Sequence, residues 1–292
     1  MRRNAVMLVA LALIWGASFM FIKVADRQLA PSTLILGRLS IAAVALAVFA
    51  PSGTFAAVRA NWRWLVVVGL VNTAVPFWLL SWGETRIQSG LASIIQAAVP
   101  IFNAALAFIF FRELRVTGIK LVGVVVGFVG VALLVGAQPQ GKLLGALAVV
   151  GMAFCYGAGG LLASRHLRAV PAHAVAFGTS AVAAVAAAPA GIAQAPHAVP
   201  GWKTFGSIAM LGIVGTALAY LLFFALISSA GSGYASLVTY LVPPVALAYG
   251  AVFLGEHFGA TAFVALAIIL AGVALGTGAR FAVRRGSLAS EA

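Results

Sequence analysis

Ten runs of about twenty apolar residues, parted by short polar breaks, occupy this sequence at 5–24, 32–50, 62–82, 88–111, 117–136, 143–163, 172–193, 203–227, 231–254 and 261–279. A helix needs about 20 apolar residues to cross the hydrocarbon of a bilayer. Because lipid offers backbone groups no hydrogen-bond partners, only helices and closed barrels can span it. The breaks hold helix-stopping residues: Pro31, Pro51-Ser52-Gly53, Gln138-Pro139-Gln140-Gly141, Pro171, and Pro196 through Pro200-Gly201. The pattern predicts an all-α membrane protein of ten transmembrane helices, with no segment left over for a soluble domain. Pro100 and Pro243-Pro244 fall inside the fourth and ninth runs and predict kinks there.

Charge bears this out and sets an orientation. Only 8% of the 292 residues are charged, and five are acidic: Asp26, Glu84, Glu113, Glu256 and Glu291. A soluble domain carries roughly a quarter charged residues, so no water-facing surface can be made from this supply. The net charge of +13 is scattered in small groups between apolar runs, a distribution that argues against nucleic acid and for the marking of cytoplasmic loops. With the N-terminus inside, the inner set is Arg2, Arg3, Arg59, Arg63, Arg112, Arg115, Lys120, Arg165, Arg168, Arg280, Arg284 and Arg285. The outer set is Lys23, Arg27, Arg38, Arg86, Lys142 and Lys203, half as many, so both termini are expected in the cytoplasm. The first run has the look of a signal peptide, but it continues through Phe19-Met20-Phe21-Ile22 and is read as the first helix. The single cysteine, Cys155, excludes an internal disulfide and reads as a small core residue.

The sequence repeats itself. Ser89-Gly90-Leu91-Ala92-Ser93, Val99-Pro100 and Glu113 recur as Ser232-Gly233-Tyr234-Ala235-Ser236, Val242-Pro243 and Glu256, at one constant offset. Gly69 and Thr73-Ala74 match Gly212 and Thr216-Ala217 at that offset. The division falls at 1–139 and 140–292. Five runs per half is an odd number, so the copies must lie in opposite orientations, and inverted repeats with a site near the midplane are a transporter architecture.

Trp15-Gly16-Ala17-Ser18, Arg38, Pro100 and Arg112-Glu113, echoed by Tyr156-Gly157-Ala158, Pro243 and Gly255-Glu256, resemble the EamA-type repeat of the drug/metabolite transporter superfamily. The resemblance covers essentially the whole chain. It implies ten helices in two inverted five-helix repeats around a central cavity, with both termini cytoplasmic. Among the family's members the chain is most similar to bacterial exporters of aromatic and other large neutral amino acids. Thr179 stands where the repeat would place a partner for Arg38, so any role of that arginine is asymmetric.

Side chains that could line a cavity follow from helical spacing. Ser89, Gln96 and Asn103 share a face of the fourth run, matched by Ser232 and Thr239 in the ninth. Small residues on such a face also serve close helix packing, but amides in hydrocarbon need partners or water, which singles out Gln96 and Asn103. Asn72, Trp78 and Trp82 neighbour one another in the third run, where Trp82 also suits an interfacial anchor. Trp15, its counterpart Tyr156, Tyr220 and Tyr240 could form aromatic walls for a flat apolar solute, or ordinary core. Lys23 and Arg38 approach the outer side, where they attract a substrate carboxylate or snorkel to the headgroups, the commoner fate. Glu113 and Glu256 end their helices and read as interfacial residues in fold or gate contacts, Glu84 lies away from mid-membrane, and His166 and His173 read as loop-edge residues without a role. Gly123-Gly127 and Gly272-Gly276 give small-xxx-small faces for packing within the bundle, the favoured reading, or for a dimer contact.

The functional expectation is an inner-membrane exporter of aromatic or other large neutral amino acids, working by alternating access as a monomer or weak homodimer in the bilayer. With no carboxylate at the middle of any run, movement is expected to be facilitated rather than proton-pumped. The alternative is a broad-specificity drug/metabolite efflux transporter. An enzyme would need a concentrated polar site, and a pore would need a continuous polar lining. Neither pattern occurs, and no cofactor or metal is expected.

Overall fold

The computed structural model describes residues 2–110, 118–138 and 140–277. Arg112, Glu113, Arg115, Arg280, Arg284 and Arg285 lie outside the described residues. Eight helices are long and apolar enough to cross a membrane: α1 (Arg2–Ala25), α2 (Pro31–Val48), α3 (Trp62–Glu84), α4 (Ser89–Phe110), α5 (Ile119–Gly136), α6 (Lys142–His166), α7 (Ala172–Ala193) and α8 (Trp202–Ala230). Two shorter apolar helices, α9 (Val238–Leu254) and α10 (Ala260–Gly276), complete the ten. The 17 residues of α9 reach about 26 Å at the α-helical rise, and a one-turn helix, Ser232–Ala235, precedes them. Large apolar side chains such as Val125, Val129, Val185 and Phe263 stand exposed on the outside of the bundle. In lipid that exposure carries no hydrophobic penalty.

The fourth helix breaks where its sequence demands. Its first segment ends at Gln96, and the second restarts at Val99 with Pro100 in its opening turn, where the missing N–H of proline has no bond to break. Pro243 and Pro244, by contrast, lie inside α9 without ending it. Helices α3 and α8 each contain a π-helical stretch, Leu70–Ala74 and Met210–Leu218. These occupy matching places in the two repeats and bury the matching threonines, Thr73 and Thr216, completely.

The two halves interlock rather than lying side by side. The extensively packed helix pairs are α5 with α10, α2 with α7, α1 with α9, α4 with α6, α3 with α6, α1 with α8, α2 with α8 and α3 with α7. Exchanging each helix for its repeat partner maps this set of pairs onto itself. Every pair in it joins one half to the other, so the main core cluster mixes both: Leu11, Leu39 and Ile94 share it with Val149, Ala219 and Ile269.

The tightest seam is α5 against α10. A Cβ on Gly123 would stand 2.2 Å from the backbone nitrogen of Gly276, and one on Gly272 would stand 2.4 Å from that of Gly127. The small-xxx-small faces are therefore consumed inside the bundle.

Candidate substrate cavity and its closed end

A cavity of about 920 Å³ runs through the middle of the bundle, lined by residues of both repeats. It reaches the loop between α6 and α7 at Arg168, Val170 and Ala172. Its walls are mainly aromatic and aliphatic. Trp15 packs on Phe223 with ring centroids 5.3 Å apart, and Phe77 meets Tyr156 edge-on at 6.4 Å.

Six of the ten side chains singled out in the sequence line this space: Trp15, Asn72, Gln96, Tyr156, Tyr220 and Thr239. Four do not. Trp78 is 41% exposed, donates its indole N–H to the Ser32 hydroxyl at 3.2 Å, and stacks on Trp82 near the C-terminal end of α3. Arg86 covers the Trp82 ring at 3.6 Å, an aromatic–basic cluster of the kind that suits a membrane interface. Asn103 turns to α6, where its amide donates to the Gly157 carbonyl at 3.3 Å, and Tyr240 packs against the core cluster. Helical spacing identified the polar face of α4, but the break before Val99 rotates Asn103 out of register with Gln96. The amides of Asn72 and Gln96 make no hydrogen bond among the described residues, leaving them to the cavity.

Arg38 overturns the snorkelling expectation. It is 6% exposed and lines the cavity. Its Nε donates to the Thr216 hydroxyl at 2.9 Å, and its guanidinium lies 4.3 Å from the centroid of the Phe77 ring. Thr216 in turn donates to the Leu211 carbonyl, five residues back across the π-helical stretch. The widened turn thus sets the hydroxyl that orients the arginine. No carboxylate among the described residues pairs with Arg38, and none lines the cavity. The repeat comparison had pointed to this position as asymmetric, but length and flexibility alone favoured the headgroups.

The end of the bundle away from Arg168 is closed by polar contacts. Lys23 Nζ donates to the backbone carbonyl of Glu84 and, at 2.7 Å, to that of Ile87. Glu256 accepts from the backbone N–H groups of Ser89 and Gly90 and from the Ser89 hydroxyl, at 2.8 to 3.2 Å. A carboxylate is well placed there, against the positive end of the α4 dipole. Ser81 donates to Asp26 at 2.8 Å. Glu84 is fully buried.

The EamA-like transporter family matches residues 3–136 and again residues 143–277. The chain belongs to that family. The transporter is 31% identical, over 92% of its length and 91% of the relative's, to a probable terminal-alkyne amino-acid exporter of Streptantibioticus cattleyicolor. It is 24% identical to the uncharacterized inner membrane transporter YedA of Escherichia coli K12, over 92% of this chain and 89% of that one. It is 23% identical to the uncharacterized transporter YvbV of Bacillus subtilis, over 94% and 91%. A solved crystal structure superposes with a TM-score of 0.68 at 17% identity, covering 94% of this chain and 97% of that one, which shows the fold. The protein is a multi-pass membrane transporter of a small molecule and not an enzyme.

Proposed function

We propose that this transporter exports amino acids with aromatic or other large apolar side chains across the bacterial inner membrane by alternating access. The observation that carries the reading is a buried guanidinium without a carboxylate partner, facing an aromatic cavity. An amino acid supplies what this site lacks: a carboxylate for Arg38 and a flat or apolar side chain for Trp15, Tyr156 and Phe223. The similarity to a probable amino-acid exporter supports the same class. The carboxyl-free lining favours facilitated movement, since nothing in the cavity exchanges a proton near neutral pH. The repeats, divided at 139/140, supply equivalent gates on the two faces.

Flux of phenylalanine, tyrosine and leucine from proteoliposomes is expected to exceed that of the matching carboxyl-free amines about tenfold or more, since a charge-assisted pair is worth about 1.5–3 kcal/mol. Amines moving as fast as the acids, or dyes outrunning both, would replace this reading with broad-specificity efflux. The orientation that places both termini and the open end of the cavity in the cytoplasm is tested by an impermeant thiol reagent added outside. In a cysteine-free background, Lys142→Cys is expected to label and Arg59→Cys to stay protected. The reverse pattern inverts the topology.

A further inference from the structure

At the closed end stand two carboxyl groups, Asp26 and Glu84, and the Asp26 charge is the one that bears most on Glu84. Glu84 is 0% exposed, and neither of its carboxylate oxygens has a hydrogen-bond partner among the described residues. Asp26 spends one oxygen on the Ser81 hydroxyl while its Oδ2 is likewise buried and unpartnered. The charged groups acting on Glu84 are Asp26 first, then Lys23, Glu256 and Arg38.

Those neighbours leave the pair short of positive charge. The Lys23 ammonium is directed to two backbone carbonyls and is the one cation between two carboxyl groups. Arg38 is held by Thr216 and Phe77. Arg86 bonds the Trp82 carbonyl and covers its ring, while Arg27, Lys142 and His257 are exposed. The charge of Glu256 is spent on the start of α4. Two ionised carboxylates cannot share a dry site with one partly committed lysine; one of them keeps a proton.

We propose that Asp26 and Glu84 are a proton-binding site that latches the outer gate, taking up one shared proton from the outside medium as the gate closes. Neither residue lines the cavity, so the proton is not carried with the substrate. The site reports external pH and does not drive flux. It rests on the transport reading in calling this end a gate and on the proposed orientation in calling it outer, and its test needs no substrate.

The direction follows from linkage. Burial pushes the Asp26 carboxyl up to about 7, against the pull of Ser81 and Lys23. In an open, hydrated gate an aspartate titrates near 4. The closed state therefore binds the extra proton between those values. Closure is fully favoured on the acid side, and the advantage is lost as pH rises through about 7. One proton shifts the closed-to-open ratio by up to tenfold per pH unit, about fiftyfold from pH 5 to 7.

The gate is read by spin labels at Thr85→Cys and Gly259→Cys, with Cys155→Ser, on the full chain in bilayers. Both positions are exposed, and a side chain at 259 meets nothing within 4 Å. A single short distance is expected at pH 5, with a longer population growing in by pH 8. Asp26→Asn, neutral at every pH, is expected to hold the short distance throughout, and Glu84→Gln to change the response without abolishing it. A wild-type distance that ignores pH overturns the proposal. So does an undiminished response in Asp26→Asn, or a response abolished by Glu256→Gln and untouched by Asp26→Asn, which would make the helix cap the sensor.

Discussion

Replacing Arg38 with glutamine is expected to cut amino-acid flux roughly ten- to a hundred-fold while leaving the amount of folded transporter unchanged. Glutamine can still donate to Thr216, so the local bond that holds the side chain in the wall survives. What is lost is the charged fork that meets a carboxylate, a charge-assisted contact worth about 1.5–3 kcal/mol. Lysine restores the charge without the fork and is expected to recover part of the rate. The readout that separates binding from packing is selectivity. Wild-type protein should prefer phenylalanine to its carboxyl-free amine, and the glutamine variant should treat them alike. Equal loss for both compounds, with earlier melting in detergent, would reduce Arg38 to a structural residue.

Parts of this arrangement could be read from the sequence, and the reason is periodicity and repetition. Nine of the ten apolar runs place their helix within a few residues, because the length a span needs is imposed by the bilayer and not by tertiary detail. The exception is the ninth run, 231–254, which divides into a one-turn helix and α9, starting only at Val238. The repeated Ser89-Gly90 and Ser232-Gly233 motifs mark the start of a helix in each half, and Glu256 does cap the first of them from the other repeat. The side chains that escaped the sequence depend on contacts between segments far apart in the chain. Arg38 stays inside because Thr216, 178 residues away, sits on a π-helical turn that no local pattern announces. Glu84 reads only as a carboxylate away from mid-membrane, and it is buried because α1 and the start of α4 fold across it. Trp78 and Asn103 fail for the opposite reason. Their spacing is right for a cavity face, but the aromatic–basic cluster near the end of α3 claims one and the break in α4 turns the other toward α6.

The glycine seam between α5 and α10 carries the other large effect. Gly272→Ala is expected to lower the apparent melting temperature in detergent by about 5–10 °C, or to prevent recovery of folded protein, with no change in flux per folded molecule. A Cβ at this position would stand 2.4 Å from the nitrogen and 2.6 Å from the Cα of Gly127. Both obstacles are backbone atoms in the middle of a helix, so no side chain can rotate away and the two helices must separate. Overpacking of a close-packed site costs about 1–3 kcal/mol even where side chains yield, and a few kcal/mol moves the melting point of a chain this size by several degrees. Separation would also weaken the packing of Ile101, which lies against Gly127 and outside the cavity lining. Gly136→Ala gives the internal comparison. Nothing lies within 4 Å of a Cβ there, and alanine in a helix is about 0.5–1 kcal/mol better than glycine. The two substitutions add the same methyl group to the two partner helices of this seam and should move stability in opposite directions. A stable Gly272→Ala protein with an altered oligomeric state would instead place this seam between two copies of the chain.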